Sequence, residues 1–81
     1  MDEASITKKL EAVVCEELDL PTVDLARNLT AASIGRWDSM AHVRIMIGIE
    51  REFGINLNIE DTYNLPNFGA LIDYVAQHLN P

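Results

Sequence analysis

The chain has little from which to build a covalent scaffold or a metal centre. Its one cysteine, Cys15, cannot close an intramolecular disulfide or supply a thiolate cluster. Next to Val13 and Val14, that thiol is expected to be buried and inert, behaving as a small hydrophobe. His42 and His78 lie far apart with no ligand spacing around either, so no metal site is expected. Basic residues are scarce: six Lys and Arg stand against thirteen Asp and Glu, a formal net charge of -7. A field of that sign repels phosphate backbones, which argues against nucleic acid and favours partners with basic patches. No apolar run approaches the ~20 residues that span a bilayer, and Met1-Asp2-Glu3 has no basic, apolar leader. A cytoplasmic protein without membrane insertion is the expectation.

What is present suffices for one small fold. Residues 1–81 are expected to form a single domain, monomeric by default, and 48% of them are apolar. A chain of this size buries only about 60% of its unfolded surface, so the core is thin and a deep enclosed active site is not expected. There is no internal repeat and no low-complexity tract.

The pattern reads helix, long loop, helix, short helix, helix. Ile6, Leu10, Val13, Val14 and Leu18 recur at helical spacing, with Lys8, Lys9, Glu11, Glu16 and Glu17 on the other face. Leu20-Pro21 ends that pattern, because proline disfavours the helical conformation before it. Residues 19 to 37 keep no period, but Leu20, Val23, Leu25, Leu29 and Ile34 supply anchors, so the connection is expected to pack down. Gly35 is read as backbone freedom before the second helix. That helix is expected from Ser39 to about Phe53, with Asp38 as N-cap and Gly54 as C-terminal stop. A short helical turn follows near Ile59 to Tyr63. The last helix is capped by Asn67 and carries Phe68, Leu71, Ile72, Val75 and Leu79 as one stripe. The stretch from Asn56 to Asp61 alternates oxygen ligands, but Asp61 and Asn67 stand where a calcium loop requires Gly and Glu; it is read as loop and cap.

The second helix has two apolar stripes where a thin domain normally needs one. Ile45, Met46, Ile49 and Phe53 form the first; Met40, Val43 and Ile47 form the second, spaced i, i+3, i+7. Ala41, Arg44, Gly48, Arg51 and Glu52 fill the arc beyond the second stripe, and Glu50 lies near its other edge. Either the helix is fully buried or the Met40 stripe is left for a partner, and a helix offering such anchors to a groove is a recurrent recognition mode.

Ser39 begins the second helix directly after its cap. Unpaired N–H groups and a partial positive charge suit that position to a phosphate. A catalytic serine would need a general base, and His42 is three residues on, but no Gly-x-Ser-x-Gly elbow is present. From the local pattern alone, a serine that only caps the helix stays open.

Asp38-Ser39-Met40, followed by an apolar helix ending Glu50-Arg51-Glu52-Phe53-Gly54-Ile55, resembles the acyl carrier protein family with its Asp-Ser-Leu motif and Phe-Gly-Ile closure. The likeness runs over almost the whole chain, through Phe68-Gly69-Ala70-Leu71-Ile72-Asp73-Tyr74-Val75. The resemblance implies an all-α, right-handed four-helix bundle with a long first loop and a short third helix. It implies a carrier and not an enzyme, with a 4′-phosphopantetheine arm moved from coenzyme A onto Ser39 by a phosphopantetheinyl transferase. Asp38 matches the acidic motif residue that helps the transferase position its metal and coenzyme A. Met40, Val43, Arg44, Ile47 and Glu50 are carried over as the partner-facing residues. The further partners implied are an acyl- or aminoacyl-loading enzyme and a downstream synthase or transferase.

The chain also departs from its relatives. Fatty-acid members place acidic residues at the start of this helix, where Ala41, His42 and Arg44 stand here. Trp37 resembles stand-alone carriers of polyketide, aminoacyl or peptidyl pathways, and Tyr63-Asn64-Leu65-Pro66-Asn67 is faintly similar to D-alanyl carriers. A specialised pathway is therefore expected, with Trp37 as a packed anchor beside the arm. The alternative is an unmodified helical interaction domain on the same scaffold.

Overall fold

A computed structural model describes residues 1–79. Among them the chain forms α1 (Glu3–Leu18), a 3-10 turn (Ala31–Ser33), α2 (Ser39–Phe53), α3 (Ile59–Thr62) and α4 (Phe68–Leu79), with no strand. This is the all-helical order that the periodicity predicts, with the 3-10 turn added inside the first loop.

α1 starts where Asp2 accepts the Ser5 N–H at 2.9 Å, a side-chain cap that also holds the Asp2 carboxyl below its usual range. Its apolar stripe of Ile6, Leu10, Val13, Val14 and Leu18 is wholly buried, as expected. The helix stops before Leu20-Pro21, because Asp19 turns into the left-handed region at φ 55°. With no basic residue in its last turn, α1 borrows one: Arg36 Nη1 donates to the carbonyls of Leu18 at 3.0 Å and Asp19 at 2.8 Å. Cys15 departs from expectation. It is half-buried, since Val13 and Val14 take the core-facing positions and leave it on the rim.

The long connection packs down on the anchors expected of it. Leu25 is buried, and Leu20, Val23, Leu29 and Ile34 lie half-buried against the core. Glu11 accepts the Leu25 N–H at 3.2 Å, and Arg27 bridges Glu3 of α1 at 2.9 Å and Asp73 of α4 at 2.8 Å. The same segment supplies acceptors for the start of α4. Phe68 N–H donates to Leu29 O at 2.9 Å and Gly69 N–H to Arg27 O at 3.0 Å, while Asn67 Oδ1 takes the Ala70 N–H at 2.8 Å. Gly35 does not need its freedom: among the described residues Gly54, at φ 65°, is the glycine in the left-handed region. Gly54 closes α2 as expected.

α1 packs on α2 and α4, and the core forms where their stripes meet. On α2 the core side is broader than the two-stripe wheel allows. Ala41 and Gly48, assigned by sequence to the outer arc, are buried with Ile45, Met46 and Ile49. A Cβ on Gly48 would stand 2.9 Å from Val13 Cγ1, so a small residue there sets the approach of α1 to α2. Small side chains carry no apolar signal of their own, so the wheel misassigned them.

Candidate functional site

Asp38 anchors the start of α2 from extended backbone. Its carboxylate accepts the Ala41 N–H at 2.8 Å and its carbonyl the His42 N–H at 2.9 Å. The capping task thus falls to Asp38 and leaves Ser39 out of it. The N–H groups of Ser39 and Met40 keep no intrahelical acceptor. Ser39 itself is exposed, and among the described residues its hydroxyl has no hydrogen-bond partner.

His42 offers no base to that hydroxyl, because both of its ring nitrogens are engaged. Trp37 Nε1 donates to Nδ1 at 3.1 Å, and Nε2 lies 2.7 Å from Thr62 Oγ1. The Thr62 hydroxyl donates to Ile59 O at 2.5 Å, so its oxygen can only accept from histidine. This sets the tautomer: Nε2 carries the proton and Nδ1 is bare. The string joins the first loop, α2 and α3, and the His42 ring stacks on Tyr63 at 4.3 Å.

An imidazolium would set a second N–H against the indole N–H and break that bond. Burial adds to this by holding the His42 pKa below its ordinary value of 6.5. A lowered folded-state value means the unfolded chain binds the proton first as pH falls. The stabilisation from neutral His42 is therefore full above about pH 6.5 and is lost as pH falls through the lower folded value. Urea melts from pH 7.5 to 5.5 are expected to show falling stability, and His42→Gln is expected to flatten that slope.

The second stripe lies on the same side of α2 as Ser39 and is exposed: Met40 73%, Val43 37% and Ile47 42%, with Tyr63 of the α3 end at 53%. Arg44 reaches 3.8 Å from Glu17 on α1. Glu50 is half-buried and one of its carboxylate oxygens accepts the Leu57 N–H at 2.8 Å, tying the loop after α2 to the helix. Tyr63 and Thr62 were not among the site residues expected from sequence. Thr62 is one polar residue in a four-residue helix, and no periodicity marks it as the acceptor for a histidine twenty positions earlier.

Beside Ser39 these groups enclose an open cleft of about 300 Å³, lined by Ala31, Trp37, Asp38, His42, Tyr63 and Leu65 among others. An exposed, unpartnered hydroxyl at a helix start, bordered by a cleft, fits a covalently tethered arm. The hydroxyl is free to be acylated or phosphorylated by another protein, and it has no base with which to attack on its own account. The Asp38 carboxylate is engaged by its cap, and the outward N–H groups offset a neighbouring phosphate.

Comparison with known proteins agrees with that chemistry. A family model described as "Phosphopantetheine attachment site" matches residues 8–75. An acyl carrier protein of Thermosynechococcus vestitus is 23% identical over 93% of this chain and 93% of its own. One from Acidothermus cellulolyticus is 24% identical over 94% of this chain and 90% of its own. The solution NMR structure of a holo acyl carrier protein from Geobacter metallireducens superposes with a TM-score of 0.81 at 26% identity, covering 91% of this chain and 85% of that one. The chain belongs to the acyl carrier protein family: it is a carrier and not an enzyme, and its cofactor is a covalently attached 4′-phosphopantetheine.

Proposed function

We propose that Ser39 bears the arm and that the chain acts as one carrier domain presenting thioester-bound intermediates to successive enzymes. The observation that carries this reading is the pairing of a free, exposed Ser39 hydroxyl with the Asp38 cap at the first turn of α2. Intact mass after incubation with coenzyme A and a broad-specificity transferase tests it. One added phosphopantetheinyl group, mapped to Ser39, is the expected result. A chain that stays bare under every transferase, and bare when isolated from cells, leaves the unmodified interaction domain as the reading.

Met40, Val43 and Ile47 are the proposed docking anchors for the transferase, the loading enzyme and the downstream synthase, with Arg44 and Glu50 at their edges. Ile47→Asp is expected to weaken binding to the transferase roughly thirtyfold, the loss of one hot-spot residue of about 2 kcal/mol. Its melting temperature should stay close to wild type, because the side chain is already 42% exposed. Titration calorimetry and a thermal melt read the two effects separately.

We further propose a specialised polyketide, aminoacyl or peptidyl pathway in the cytoplasm, where coenzyme A is at hand. Exposed Arg44 sets a positive charge on the docking side of α2, which disfavours partners that dock through basic patches. Mass analysis of the cargo on protein isolated from its cells decides between this and ordinary fatty acyl groups.

A further inference from the structure

Behind the cleft beside Ser39 lies a second cavity of about 50 Å³, which reaches inward to Met46, Phe68 and Leu71. Trp37, His42 and Thr62 line both spaces. With Ala31 and Leu65, which also line both, they form the boundary between the two spaces, and they are also the hydrogen-bonded string. Trp37 donates to His42 at 3.1 Å, His42 donates to Thr62 at 2.7 Å, and Thr62 donates to Ile59 O, so every polar group in the wall is used. Ring contacts brace it on both sides: Tyr63 stacks on His42 at 4.3 Å, and Trp37 packs against Phe68 at 5.5 Å.

We infer that the Trp37–His42–Thr62 string is a specificity-determining latch that closes the inner cavity to alkyl chains, so that cargo on Ser39 is a short or compact acyl group held in the outer cleft. The inference rests on the reading of Ser39 as the attachment point. Size supports it. An apolar cavity of about 150 Å³ accommodates benzene, and the inner space here is a third of that, room for a two- or three-carbon segment. A longer chain passing between these rings from the cleft beside Ser39 must turn the indole or the imidazole aside, which breaks the string and leaves half-buried N–H groups without acceptors. The outer cleft offers ring faces and polar edges from Trp37, His42 and Tyr63, a lining for compact groups and not for an extended hydrocarbon.

The whole chain is loaded with acetyl, hexanoyl or dodecanoyl arms from the matching acyl-coenzyme A, each load is verified by mass, and thioester cleavage by hydroxylamine is timed. In wild type the three are expected to cleave within about twofold of one another, since no added carbon is buried. In His42→Ala the dodecanoyl thioester is expected to cleave about tenfold more slowly than the acetyl one, the protection that two buried methylenes supply. Wild-type protein that already protects the dodecanoyl group tenfold overturns the latch, and so does a folded His42→Ala that protects nothing. Should His42→Ala fail to fold, the wild-type series decides by itself. Free octanoyl-pantetheine gives an arm of the test that needs no attachment, read from the methyl resonances of Met46 and Leu71. These should stay still in wild type and shift in His42→Ala. A chain that refuses every acyl load but gives that methyl result loses the Ser39 assignment and keeps the latch; methyl shifts in wild type remove the latch whatever Ser39 does.

Discussion

Ser39→Ala is expected to abolish phosphopantetheinylation completely while leaving the melting curve unchanged. The two halves of that result have different causes. The hydroxyl is exposed at the tip of α2, and its removal leaves a transferase no alcohol nucleophile there for the phosphodiester. The fold does not depend on it, because Asp38 caps the helix and Ser39 is exposed with no partner among the described residues. Alanine is the better helix former, so stability should stay within about 0.5 kcal/mol. Asp38→Ala makes the contrast. It strips the cap from Ala41 and should cost about 1 kcal/mol of stability. Intact mass and thermal melting on the three proteins separate these contributions. Modification of Ser39→Ala at another residue would place the arm elsewhere and end the assignment.

Gly48→Val is expected to be the most damaging single exchange on α2, at roughly 2–3 kcal/mol. The new Cβ alone would stand 2.9 Å from Val13 Cγ1, and Val13 is a buried β-branched residue with no long stem to swing away. The branched methyls push further into the same seam, so α1 must shift or Val13 must leave its rotamer. A domain of 60–100 residues loses about 4–8 °C per kcal/mol, which makes the expected drop in melting temperature about 10–20 °C. Gly35→Ala is the control: nothing lies within 4 Å of its added Cβ and its backbone is not left-handed, so its melt should overlie wild type. A Gly48→Val melt that overlies wild type as the control does would mean that the approach of α1 does not constrain Gly48.

Particular residues show what could be read before the fold was seen. The stripe of α1, the Asp38 cap, the bounds of α2, Gly54 as its stop and Asn67 before α4 are all local. Each rests on a side chain meeting its own backbone or on spacing within one helix, and the structure has each where the spacing puts it. The surplus stripe of Met40, Val43 and Ile47 was legible for the same reason, since helical periodicity alone separates it from Ile45, Met46 and Ile49. Where the reading failed, the deciding neighbour lay elsewhere. Ala41 and Gly48 are buried because α1 comes close, and Cys15 is on the rim because two valines claim the core. α1 ends at Leu18, where the sequence places its end, but the left-handed Asp19 and the Arg36 donor from the far end of the loop on its last carbonyls carry no local signal.

The amino-acid order by itself determined the helices and the Asp38 cap, because those depend on interactions within a few residues; that Ser39 is left out of the cap and exposed is seen only in the fold. The closed string from Trp37 through His42 to Thr62, and with it the state of the cavity behind, was decided only by tertiary structure. Thr62 sits in a helix of four residues, too short for a periodicity that would assign its faces, and α3 comes within 2.7 Å of the His42 ring only once the domain has folded. Hydrogen-bond partners so far apart in sequence are chosen by packing, which no local pattern encodes.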